Sequence, residues 1–143
     1  MQLPSLYSRV ISEGHTIGNH TYNHMNGWKV ADEVYFKDIL DARKYIDSSL
    51  FRPPYGRITQ FQARHLQQSA LHFKIVMWDV VSGDFDTTIT PERCANNVLK
   101  HAGAGSIVVF HDSDKAFPNL RKALPATLEY FSVKGYRFEA IRV

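Results

Sequence analysis

The chain has 143 residues, 44% of them apolar and 22% charged, a net charge of +3 and a single cysteine, Cys94. That is the size of one domain, 1–143, with a real core to bury. The composition excludes a helical membrane span, which needs about 18 consecutive apolar residues, an intramolecular disulfide, and a nucleic-acid-binding stripe, because the basic residues are spread along the chain. No charged, then apolar, then small-residue leader is visible at the N-terminus.

The spacing predicts a helix over 4–13, with Pro4 in the first turn, Leu6, Val10 and Ile11 as its apolar positions, and Gly14 as its stop. A short extended stretch follows at 15–19. Tyr35, Ile39, Ala42 and Ile46 share one face of a helix within 31–49. Leu50 and Phe51 read as a short extended segment before the loop Arg52-Pro53-Pro54-Tyr55-Gly56. A further helix is expected over Thr59–Ala70. Phe73 to Val80 is an apolar, β-branched run of the kind buried on both faces. Thr90-Pro91-Glu92 opens a helix that ends at Gly103 and Gly105. Ser106 to Phe110 reads as a second fully buried strand, Asn119 to Val133 as the last helix, and Tyr136 to Ile141 as a closing strand. The order is α-β five times over, which implies parallel strands joined by right-handed crossovers. Five strands are too few for an eight-stranded barrel. The expected fold is therefore an α/β parallel sheet, either open or an incomplete barrel.

In such folds the chemistry collects in loops after the C-terminal ends of strands. Four consecutive loops carry polar or turn-specific residues: His20-Thr21-Tyr22-Asn23-His24, then Arg52 to Gly56, then Asp79 and Asp84, then His111 and Asp112. Each has a plainer account when read alone. Two histidines four apart are often ordinary surface residues, an Arg-Pro-Pro run is often a stiff loop, and His111 could be a satisfied core histidine. Asp79 and Asp84 could bond their own backbone. His15, His65, His72 and His101 read as surface or packing residues. Four such loops in the same topological position point to one site.

These pieces together resemble the NodB-homology polysaccharide deacetylases, the fourth family of carbohydrate esterases. Gly14 to His24 resembles that family's second motif, Arg52 to Gly56 its third, Trp78 to Phe85 its fourth and Ile107 to Asp112 its fifth. The resemblance implies a (β/α) barrel domain and metal-dependent removal of N-acetyl groups from an amino-sugar polymer such as peptidoglycan or chitin. It implies His20 and His24 as ligands of a divalent metal, usually zinc. It implies His111 as the acid that protonates the departing amine, with Asp84 holding that imidazole oriented and charged. Arg52 would pair with the base carboxylate, and the Tyr55 backbone N–H would stabilise the oxyanion. Tyr55 and Val109 would wall the acetate pocket, and Phe85, where the family usually has tryptophan, would face the sugar.

The family's first motif, two adjacent aspartates that supply the base and the third metal ligand, has no counterpart here, since the sequence contains no Asp-Asp pair. The chain thus reads as an N-terminally truncated member. Two classes of function follow: a deacetylase, or a catalytically incomplete relative that binds carbohydrate or metal, the metal then held weakly or not at all. An open sheet edge is expected where the first strands are missing, and a homo-oligomer would cover it.

Overall fold

The structure is a computed structural model that describes residues 4–68 and 70–141. It divides into two units. One holds the described residues up to Met77 together with Ala140 and Ile141; the other spans Trp78–Glu139.

The first unit opens with helix α1, Pro4–Ser12. Proline suits the first turn because its missing N–H is unpaired there in any helix. The helix ends in a Schellman motif: Gly14, at φ 84°, donates to the Ile11 carbonyl, and His15 donates to that of Val10. Helix α2 covers Asp32–Arg43 and buries Tyr35, Asp38, Ile39 and Ala42, a stripe at helical spacing. Asp32 and Glu33 at its start and Arg43 at its end complement the helix dipole. It stops well short of residue 49, and the chain turns where the Ala42 carbonyl accepts from both Tyr45 and Ile46. Strand β1, Leu50–Phe51, pairs in parallel with β2, Lys74–Ile75, in the register Leu50 to Lys74 and Phe51 to Ile75. Asn19 adds a parallel bridge to Phe51. Helix α3, Gln60–Gln68, starts at a reciprocal cap: the Thr59 hydroxyl accepts from the Gln62 N–H while the Gln62 side chain accepts from the Thr59 N–H. Its predicted continuation crosses residue 69, which lies outside the described residues. Tyr35, Ile39, Phe51, Leu66 and Phe73 form the core of this unit. The rings of Tyr35 and Phe73 approach Phe51 at centroid distances of 6.3 and 5.8 Å.

In the second unit, strand β3, Val80–Val81, pairs in parallel with β4, Val108–Val109. Helix α4 runs from Pro91 to His101, with the Thr90 hydroxyl accepting the Arg93 N–H at 3.2 Å. Helix α5 covers Phe117–Val133 and starts two residues earlier than the spacing predicts, with Pro118 in its first turn. It continues through Pro125, whose ring removes one helical hydrogen bond. Val80, Val98 and Phe131 form one buried cluster, and Cys94, Ala95 and Ala123 another. Cys94 is fully buried in the second of these clusters, and burial pushes its thiol above its usual range.

Three sequence expectations give way. The run Phe73 to Val80 is not one doubly buried strand but two short ones, β2 and β3. Lys74 and Met77 are exposed there. Ser106 to Phe110 forms a ladder only at Val108–Val109, and only Val109 is buried. The segment 136–141 is not a strand: Tyr136 and Phe138 lie exposed and no ladder partner pairs with it among the described residues. What stands is an α/β chain with five helices and short parallel strand pairs among the described residues.

Candidate functional site

The histidines of the first unit sit on a loop that β1 anchors. Asn19 donates its N–H to the Leu50 carbonyl at 2.8 Å, and Arg52 donates back to the Asn19 carbonyl at 3.0 Å. This pairing sets His20 beside Arg52, and His20 Nδ1 lies 2.5 Å from the Arg52 carbonyl oxygen. A carbonyl only accepts, so Nδ1 carries the hydrogen and Nε2 keeps the electron pair that a metal would use. The chain then folds back through two left-handed residues, Thr21 at φ 62° and His24 at φ 55°. Asn19 Oδ1 accepts the Thr21 N–H, and the Thr21 hydroxyl accepts the Met25 N–H. The result brings the two imidazoles edge to face with centroids 5.0 Å apart. His24 meets the Tyr55 ring in the same manner at 4.7 Å. Tyr55 is itself left-handed, at φ 59°, in the 3-10 turn Pro54–Gly56, and its side chain is exposed. A non-glycine residue held there marks a backbone that its surroundings over-determine.

The loop beyond is pinned by close packing at Gly27. A Cβ at that position would lie 2.6 Å from Gln62 Oε1 and 2.8 Å from the Arg57 carbonyl oxygen. Gln62, fully buried, donates to both the Gly27 carbonyl and Asp32 Oδ1 at 2.8 Å.

The second unit contributes a carboxylate–imidazole dyad. Asp84 is fully buried on the turn after β3. Its Oδ1 accepts from His111 Nδ1 at 2.7 Å and its Oδ2 accepts the His111 backbone N–H, also at 2.7 Å. One carboxylate therefore grips both the ring and the main chain of His111, just beyond β4. The grip puts the ring hydrogen on Nδ1 and leaves Nε2 as the atom that can exchange a proton with a substrate. The main chain around Asp84 is held as well: the Ser82 hydroxyl accepts the Asp84 N–H, and Asn119 Nδ2 donates to the carbonyls of Asp84 and Asp86 at 3.2 and 3.1 Å. The Phe85 ring stands edge to face with His111 at 5.0 Å, and Val109 is buried in β4.

Asp79 does not simply bond its own loop; it ties two distant segments together. It accepts from the Ser106 hydroxyl and the Ile107 N–H, both at 2.7 Å, and fastens the entry of β4. These bonds hold its carboxyl below the usual range, the Ser106 hydroxyl foremost. His65, stacked on Phe36 at 4.3 Å, and His101, bonded to the Asn97 carbonyl, are packing and surface residues as expected.

Sequence reasoning missed Asn19, Asp38 and Asn119, whose amides and carboxylate hold the loops that carry the histidines. Polar residues on the apolar stripe of a helix, as Asp38 and Asn119 are, were the available signal.

His20 and His24 are the residues that could hold a divalent metal of the kind the resemblance implies, since imidazole nitrogen is a donor such an ion takes and the His20 ring is fixed through Nδ1 by a carbonyl. Among the described residues no set of three His, Cys, Asp or Glu side chains forms a complete ligand group.

Comparison with known proteins places the sequence in a family. The polysaccharide deacetylase family model matches residues 1–73, just over half of the chain. The chain is 32% identical over 143 residues to a peptidoglycan-N-acetylglucosamine deacetylase of Bacillus cereus, a match covering 96% of this chain and 67% of that protein. A second Bacillus cereus protein of that name is 30% identical, and the chain spans about half its length, 51%. A solved peptidoglycan N-acetylglucosamine deacetylase superposes with a TM-score of 0.89 at 29% identity, covering 98% of this chain and 67% of that one. The chain belongs to the polysaccharide deacetylase family.

Proposed function

We propose that this chain is the metal- and acid-bearing part of a deacetylase that removes N-acetyl groups from an amino-sugar polymer of the peptidoglycan or chitin type. The observation that carries the reading is the grip of buried Asp84 on His111, which leaves one ring nitrogen committed to proton transfer. Relatives named for peptidoglycan and chitin deacetylation support the substrate class. The likeness to a solved deacetylase supports a (β/α) barrel of which the parallel pairs β1–β2 and β3–β4 are parts.

In this reading His20 and His24 hold the metal. A divalent ion held there, often zinc in the family this chain resembles, would supply Lewis acidity toward the acetyl carbonyl and acidify a water. Water adds to the N-acetyl carbon, and the Tyr55 backbone N–H stabilises the oxygen that becomes negative. As the C–N bond breaks, His111 Nε2 gives its proton to the departing nitrogen, and acetate and a free amine result. Phe85 faces the sugar beside His111. Arg52 would pair with the carboxylate that accepts the proton of water. The resemblance assigns that base to one of two adjacent aspartates, which these 143 residues do not contain. The second reading is a relative that binds polymer or metal without turning it over.

Zinc-dependent acetate release from chitooligosaccharides decides between them, with His20→Ala and His111→Ala as controls. Release clearly above both controls is the expected result of the first reading. No release from folded protein in excess zinc would overturn it and leave the second.

A further inference from the structure

Asp38 stands on the buried stripe of α2, only 4% exposed, between the core residues Tyr35 and Ile39. A carboxylate in that place needs strong partners to offset its lost hydration. Its hydrogen-bond donors come from the His20–His24 loop. Oδ2 accepts the backbone N–H groups of Tyr22 and Asn23, each at 2.9 Å, and Oδ1 accepts from Asn23 Nδ2 at 2.6 Å. Tyr22 and Asn23 are the two residues that separate the left-handed Thr21 from the left-handed His24. Strained backbone of this kind persists only where its surroundings hold it. The next residue of α2 adds a second tie, since Asn19 Nδ2 donates to the Ile39 carbonyl at 2.9 Å.

We infer that Asp38 is a positioning residue for the histidine pair: its carboxylate clamps the middle of the turn and so fixes the distance and angle between the His20 and His24 imidazoles. This rests on the reading of those histidines as metal ligands. Groups that orient metal ligands from behind typically carry about 10–100-fold in metal affinity.

The test uses the whole chain and cobalt(II), whose visible absorption reports binding directly. Asp38→Ala is expected to weaken cobalt binding by about 10–100-fold while far-UV dichroism stays native. The Tyr22 and Asn23 amides should also lose their protection from hydrogen exchange. Asp38→Asn keeps an oxygen for the two main-chain donors, and the Asn23 amide can turn its own oxygen to the new NH2. This variant should regain most of the lost affinity, which simple loss of packing would not predict. Where Asp38→Ala does not fold, Asn23→Ala removes the donor to Oδ1 alone and leaves α2 intact; its expected loss is about tenfold. Unchanged cobalt affinity in a folded variant overturns the inference. A wild-type chain that binds no cobalt overturns the metal reading instead. The metal-free imidazole NMR signals then decide the clamp: averaged His20 and His24 signals in Asp38→Ala support it, and signals as sharp as in wild type overturn it.

Discussion

The two units orient a histidine by opposite means. His20 in the first unit is fixed through Nδ1 by a main-chain carbonyl, that of Arg52, on a loop clamped from the next helix. His111 in the second unit is fixed through Nδ1 by a side chain, the buried carboxylate of Asp84. A carbonyl cannot be removed by substitution, whereas a carboxylate can. The first arrangement therefore tolerates change at the residue that orients the ring, and the second does not. A carboxylate behind the ring of His111 suits a residue that must carry and deliver a proton. A neutral carbonyl behind His20 suits a ligand that must remain unprotonated to donate its electron pair.

Asp84→Asn is the sharpest way to break that comparison. The amide cannot accept from both the ring and the main chain of His111, and the ring is freed to adopt the wrong tautomer. Acetate release is expected to fall by about 10³–10⁴-fold in kcat, by analogy with the orienting aspartate of a catalytic triad. Arg52→Ala keeps the main-chain carbonyl that faces His20 Nδ1, so cobalt(II) affinity is expected to stay near that of wild type. A large loss of cobalt affinity in Arg52→Ala, or a mild effect of Asp84→Asn on turnover, would contradict the contrast.

The cores differ as well, and here the expected effects are in stability. The first unit is built around large rings, with Phe51 fully buried among Tyr35, Ile39 and Phe73. Phe51→Ala should cost about 3–5 kcal/mol in urea unfolding, the range for a deleted core phenylalanine. In the second unit α4 and α5 meet through small residues, Cys94, Ala95 and Ala123. The damaging change there is in the other direction: Ala123→Leu should cost about 1–3 kcal/mol through overpacking. A neutral Ala123→Leu would mean that the contact has room that its 1% exposure does not suggest.

How far the sequence could be read follows the same physics. Helices with strong local signals were legible. Pro4 with Gly14, and Thr90-Pro91-Glu92, mark ends that the structure reproduces within a residue or two. Strands were less legible, because an apolar run such as Phe73 to Val80 says nothing about how many neighbours pair with it. The pairing partners lie far away in sequence and decide both length and burial. The candidate residues stood out in the sequence as types, since His20, His24, Asp84 and His111 stand in a recognisable order. Their support did not, because Asp38 and Asn119 act from helices whose periodicity marks them only as polar interruptions. Thr21, His24 and Tyr55 showed nothing of their left-handed backbone, a conformation that the fold imposes on side chains that do not prefer it.

The smallest expected effect separates the units by how they hold exposed carboxylates. In the first unit Asp41 is held down at about 2 by hydrogen bonds from Lys37 and Lys44, two charged partners at 2.6 Å. In the second unit Asp79 is also held below its ordinary value, but by the neutral Ser106 hydroxyl and the Ile107 N–H. In both, the folded state favours the ionised carboxyl. The stabilisation is therefore complete above the unfolded value near 3.8 and disappears as the pH falls through the lower folded value. Salt distinguishes them. At about 1 M ionic strength the screening length shrinks to roughly 3 Å, so ion pairs between exposed groups weaken, while hydrogen bonds from neutral donors do not. Unfolding measured from pH 5 to 2 at low and high salt is expected to show the Asp41→Asn difference shrinking with salt and the Asp79→Asn difference persisting. If both respond alike to salt, the lysines around Asp41 act through their hydrogen bonds rather than their charge, and the two carboxylates are held in the same way after all.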